Sequence, residues 1–189
     1  MSSYSSIWVK INNPETDLSL LRENYNHEAV LPDGDCFACA VKAASDDGET
    51  PTETMEELSQ SFGEAIFMSV QTVVDFFLYS YWRDGFLVRE IQYCADAGWY
   101  GLDGEKQDWE LRLFNEEEKL RQLGYLDLDY WAARPNSAKE YAEAKASSAQ
   151  IEAVWAAREL QQDSFYPMAT ASELYQIVMQ KMRLVNPYN

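Results

Sequence analysis

At 189 residues, with 47% apolar and 14% aromatic side chains, the chain can bury a sizeable core, which excludes an intrinsically disordered protein and fits a single domain over 1–189. Fifteen Lys and Arg against 32 Asp and Glu leave a net charge of −17, which excludes a direct grip on nucleic-acid phosphates or docking on anionic membranes, both of which need clustered cations. No apolar run approaches the roughly 18 residues of a membrane span, the start carries no basic and apolar leader, and three cysteines do not make a disulfide framework, so a cytoplasmic location is expected.

Ser6 to Ile11 alternates Ile7, Val9 and Ile11 against Trp8 and Lys10, which predicts a half-buried strand closed by Asn12-Asn13-Pro14. Asp17 can cap a short helix over Leu18 to Asn24. Cys36 to Ala44, lying between Pro32-Asp33-Gly34 and Asp46-Asp47-Gly48, has the length of a strand. The acidic stretch from Asp46 to Glu57 reads as a loop entering a helix, with Thr54 and Glu57 at capping-box spacing and Met55, Leu58 and Phe62 on one face. From Ala65 to Trp82, Ile66, Val70 and Phe77 also fit helical spacing, but aromatic and β-branched density favours strand. These 18 residues at about 3.3 Å each would run to roughly 60 Å, so a break is expected near Gln71-Thr72.

Val73 to Glu110 carries three turn signals, Asp84-Gly85, Asp96-Ala97-Gly98 and Asp103-Gly104, between β-branched and aromatic runs, the signature of consecutive antiparallel hairpins. A two-residue turn at Asp84-Gly85 pairs Arg83 with Phe86. An unbroken register then places Phe76, Leu78, Ser80 and Trp82 opposite Tyr93, Ile91, Arg89 and Leu87 on a core face. Phe77, Tyr79, Tyr81 and Arg83 fall on the other face, expected under the C-terminal helices. Arg89, opposite Ser80 among apolar neighbours, needs a carboxylate: Glu105 or Glu110, or an anion on a ligand.

Beyond Glu110 the pattern turns helical. Asn115 before Glu116, Glu117 and Glu118 predicts a capped helix start, with Gly124 at its end. Pro135-Asn136-Ser137 precedes an alanine-rich helix over Ala138 to Gln162, with Ile151, Val154 and Trp155 facing inward and Pro167 as the break. Thr170 and Glu173 form a capping box for a last helix through Leu174, Ile177, Val178, Lys181 and Val185. Strands first and helices after give an α+β fold, an antiparallel sheet of about five strands in the N-terminal and central part, packed by C-terminal helices.

Chemistry is sparse. Cys36 and Cys39 form a CxxC, but Cys94 and His27 are the only further zinc ligands of that type, and on a strand the two sulfurs would face apart, so no metal is expected. Asp33-Gly34-Asp35-Cys36-Phe37 resembles the catalytic-cysteine motif of ovarian-tumour-type deubiquitinases, yet no histidine follows Cys36 to act as base. GxGxxG, GxxxxGK[ST] and HExxH are absent, so neither a cofactor nor a catalytic residue is assigned. The crowded carboxylates Asp103, Glu105, Asp108 and Glu110 read as a solvated rim rather than an acid-base pair.

Trp82-Arg83-Asp84-Gly85-Phe86-Leu87-Val88-Arg89-Glu90-Ile91-Gln92-Tyr93, then Asp96-Ala97-Gly98-Trp99-Tyr100, then Asp103-Gly104-Glu105-Lys106-Gln107-Asp108-Trp109-Glu110, resembles a motif of uncharacterised bacterial proteins, with likeness from near Phe67 onward. That resemblance implies no activity. The expectation is a non-enzymatic protein that acts by binding another protein, its acidic surface steering a basic partner, with an inhibitor or immunity-type role as one version. The competing expectation is a small-molecule anion binder or enzyme with a pocket formed by Arg89, Trp82, Trp99, Trp109, Glu105 and Glu110.

Overall fold

A computed structural model describes residues 3–11, 17–24, 37–42, 49–134 and 136–184. Six strands form one antiparallel sheet: β1 Ser3–Lys10, β2 Phe37–Lys42, β3 Glu64–Gln71, β4 Phe76–Arg83, β5 Phe86–Cys94 and β6 Gly98–Gly104, in the order β2-β1-β3-β4-β5-β6. The long apolar run around Thr72 does break as its length requires, with β3 and β4 joined by a turn over 72–75. Asp84 and Gly85 both take positive φ, 51° and 86°, the two-residue hairpin geometry that Asp-Gly favours.

Helices cover both faces of this sheet. Trp8, Ile66, Met68, Val70, Phe77, Tyr79, Tyr81, Ile91 and Tyr93 pack under a 3-10 helix at Asp108–Leu113, the second half of α5 (Ala138–Ala157) and α6 (Ala171–Met182). On the opposite face Ile7, Val9, Phe67, Leu78 and Trp82 pack against Leu18 and Leu21 beside or within α1 (Ser19–Asn24) and against Met55, Leu58 and Phe62 of α2 (Thr52–Phe62). The N-terminal helices thus supply a layer that the strands-then-helices pattern does not announce.

Several helix ends differ from the sequence reading. Thr54 lies inside α2, which begins after Pro51 without a side-chain cap, so Thr54 and Glu57 form no capping box. Gly124 lies within α3 (Glu116–Tyr125), whose start is capped as expected by Asn115 accepting from the Glu118 N–H at 2.8 Å. A short α4, Leu128–Ala132, follows, opened by Asp127. The alanine-rich helix stops at Ala157 because Arg158 turns left-handed, φ 50°, well before Pro167. The Thr170–Glu173 box does open α6, and a second acid joins it: Asp75, in the β3–β4 turn, accepts the Ala171 N–H at 2.7 Å.

No helix among the described residues is long and apolar enough to cross a membrane.

Candidate functional site

The register around Arg89 departs from the unbroken hairpin. Trp82 pairs with Leu87, but Tyr81 pairs with Arg89, so Val88 is an extra residue and every later pair shifts by one. A one-residue shift exchanges faces. Arg89 therefore lies opposite Tyr81, on the face of Tyr79 and Phe77 that meets the C-terminal helices, and not opposite Ser80. Gly104 on β6 makes this possible: its φ is 86°, a Cβ there would meet the Val88 carbonyl oxygen at 2.1 Å, and that carbonyl accepts the Glu105 N–H at 2.7 Å. Asp103-Gly104 is the strand end that accommodates the bulge, and a 3-10 helix, not a fourth hairpin strand, follows it.

Arg89 is 6% exposed and Glu110 1% exposed. The guanidinium grips the carboxylate in a bidentate pair, Nε to Oε1 at 3.1 Å and Nη2 to Oε2 at 2.8 Å, while Nη1 donates to the carbonyls of Asp103 and Gly104 at 3.4 and 3.2 Å. Glu110 Oε1 also accepts the Gln107 N–H at 2.6 Å, closing a capping box at the start of the 3-10 helix. Each nitrogen of Arg89 is thereby occupied, and the pair clamps β5, the end of β6 and the 3-10 helix together. An external anion would have to displace a buried, doubly bonded carboxylate.

Of the remaining sequence-predicted site residues only Trp109 lies beside it. Trp109 is fully buried beside the pair, edge to face with Tyr79 at 5.4 Å. Trp99 packs on Tyr93 at 4.7 Å and donates its indole N–H to the Pro167 carbonyl at 3.0 Å. Trp82 belongs to the opposite core and donates to Ser80 Oγ at 3.2 Å, so the expected grouping of Trp82 with Arg89 fails with the register that produced it. Glu105 is exposed, and Glu110 alone is the carboxylate bonded to Arg89. Cys36 and His27 lie outside the described residues; Cys94 donates its thiol to the Val74 carbonyl at 3.6 Å. Among the described residues no group of three or more His, Cys, Asp or Glu is placed to hold a metal ion.

One polar contact in this layer is incomplete. The Tyr79 hydroxyl and the Trp109 indole N–H, both buried, make no hydrogen bond of normal geometry. Burial holds the Tyr79 phenol far above its ordinary value, against a smaller opposing pull from the Trp109 indole.

Charge, rather than chemistry, is unevenly distributed. Residues 43–82 contain eight acids and no lysine or arginine. Glu53, Glu56 and Glu57 form the exposed side of α2, one helical turn apart and opposite buried Met55, Leu58 and Phe62. Beyond the N-terminus of α2, no helix among the described residues covers β5 and β6 on this face. A polar hollow of about 430 Å3 opens there, with Glu49 and Glu90 as its charged groups and the rings of Phe76 and Tyr100 in its wall. Glu90 accepts from Thr50 Oγ1 at 2.9 Å and Gln92 Nε2 at 3.0 Å, and no cation among the described residues lines the hollow. Sequence reading missed this face because scattered acids align only once α2 and the helix-free half of the sheet are placed.

No protein-family model, curated protein or solved structure matches this chain, and the roles of its residues rest on their geometry.

Proposed function

We propose that the chain is a cytoplasmic, non-enzymatic binding protein that engages a basic partner protein through the outer side of α2 and the adjoining polar hollow. The observation that carries this reading is the acidity of α2, whose glutamates meet no cation among the described residues. Like charges three and four residues apart on a helix each destabilise it by about 0.2–0.5 kcal/mol. Elsewhere acids meet cations: Glu118 with Arg121, Glu152 with Lys119, Glu143 with Lys139. On α2 no ion pair among the described residues offsets that cost, the pattern of a surface tuned for encounter with a cation. The neighbouring hollow, with carboxylates and aromatic rings together, matches the chemistry of a lysine or arginine side chain. The alternative of an anion pocket at Arg89 lacks this support, because Glu110 already fills the guanidinium.

Affinity capture from source lysate at low salt, with the wild-type chain, a Glu53→Lys/Glu56→Lys/Glu57→Lys variant and a control reversal of Glu140 and Glu143 on α5, tests the proposal. A basic protein retained by wild type and control, lost by the α2 variant and released in 0.5 M salt (about a 4 Å screening length) is expected. Equal retention by the α2 variant, or no partner at low salt, would overturn it.

A further inference from the structure

We infer that the cleft between the 3-10 helix, the start of α3 and α6 is a binding site for a small carboxylate bearing an apolar body. The cleft measures about 410 Å3, within the roughly 300–1,000 Å3 of small-ligand sites. Its floor is apolar, with Leu113 and Ala169 buried and Met168 and Ile177 half-buried. Four charged side chains line it, and three are committed within the protein. Arg121 holds Glu118 in a bidentate pair at 2.7 and 2.8 Å, and Glu173 accepts the Thr170 N–H and hydroxyl at 2.7 and 3.0 Å in the cap of α6.

Arg112 is the exception. It is exposed, and its guanidinium has no ion pair or hydrogen bond among the described residues. The four side chains sum to zero charge, but Glu118 is bonded to Arg121 and Glu173 into the α6 cap, so Arg112 alone keeps its donors uncommitted among the described residues. A guanidinium at the rim of an apolar floor matches a carboxylate head in bidentate geometry with its apolar body laid over Met168 and Ile177. An ammonium head would meet the Arg112 charge and find Glu118 and Glu173 already bonded within the protein, and a neutral head would leave the guanidinium unmatched.

Titration of the 15N-labelled chain with octanoate, octanol and octylamine tests this. Octanoate is expected to saturate, shifting the amides of Leu113, Ala169 and Ile177, with octanol and octylamine at least tenfold weaker. Arg112→Gln, whose exposed position leaves the fold intact by its thermal melt, is expected to lower octanoate affinity at least tenfold, with Arg112→Lys intermediate. Shifts confined to other surfaces, no saturation, or equal affinity in Arg112→Gln or for octanol would overturn the site. The basic-partner reading concerns the opposite side of the sheet and stands or falls separately.

Discussion

Removing one member of the Arg89–Glu110 pair should cost far more than removing both. At 2.8 Å and an effective dielectric constant of about 20, the charges attract by about 6 kcal/mol, a gross figure that desolvation of both ions largely offsets. Glu110→Leu leaves a buried guanidinium unopposed and strips the Gln107 N–H of its acceptor, so a loss of about 3–5 kcal/mol is expected. Arg89→Met leaves the carboxylate buried and should cost a similar amount. The double variant Arg89→Met/Glu110→Leu buries no charge and forfeits the two bonds to the Asp103 and Gly104 carbonyls and the acceptor of the half-buried Gln107 N–H, so it should lie only about 1–2 kcal/mol below wild type. Urea unfolding of all four proteins, followed by tryptophan fluorescence, completes the double-mutant cycle. A double variant no more stable than Glu110→Leu would refute the claim that the pair is a mutually dependent buried clamp.

Tyr79→Phe removes a buried hydroxyl without a hydrogen bond and should leave stability within about 0.5 kcal/mol of wild type; a loss in urea midpoint worth more than about 1.5 kcal/mol would reveal a bond at that oxygen. Gly104→Ala forces a side chain into positive φ and against the Val88 carbonyl, so about 2–4 kcal/mol of destabilisation is expected by the same assay, and a neutral result would contradict the bulge. Glu64 is held below its ordinary value: burial pushes it up, but hydrogen bonds from Lys10 and Tyr81 and the charges of Lys10 and Arg83 together win. Because the folded value is the lower one, this stabilisation is complete above about pH 4.3 and drains away as pH falls through the folded value. Glu64→Gln should therefore differ most from wild type at neutral pH and converge with it in acid, as read by urea midpoints across pH; a constant gap would refute the assignment.

The legible parts of the fold were those written in local pattern. Alternation at Ile7, Val9 and Trp8, the Asp84-Gly85 turn, the Asn115 cap and the Thr170–Glu173 box each depend on neighbours within a few residues. The register beyond Tyr81 was not legible, because the extra residue Val88 is not marked in its own strand: its only sign is Gly104, a residue on the next strand whose missing side chain makes room for it. That single bulge decided the surroundings of Arg89 and separated it from Trp82. The need of Arg89 for a carboxylate was readable from charge and burial, whereas the choice of Glu110 over Glu105 required the 3-10 helix, which turns Glu110 inward and leaves Glu105 in solvent. The acidic face of α2 and the cleft at Arg112 were hidden for a related reason. Both are defined by what is missing nearby among the described residues, a helix over β5 and β6 in one case and a partner carboxylate in the other.

The contact between Asp75 and the first N–H of α6 spans 96 positions of sequence, and it bears on the order in which a growing chain can be completed. The β3–β4 turn leaves the ribosome long before residue 171, so the acceptor is in place before its donor is made. Until α6 is added the 3-10 helix and α5 cover the face of Phe77, Tyr79 and Tyr93 only in part, and the nascent sheet keeps an open apolar surface of the kind that invites association between chains. Arrival of α6 adds the remaining cover to that surface and engages the waiting carboxylate in the same step, so one helix both finishes the packing over the sheet and ties down the β3–β4 turn.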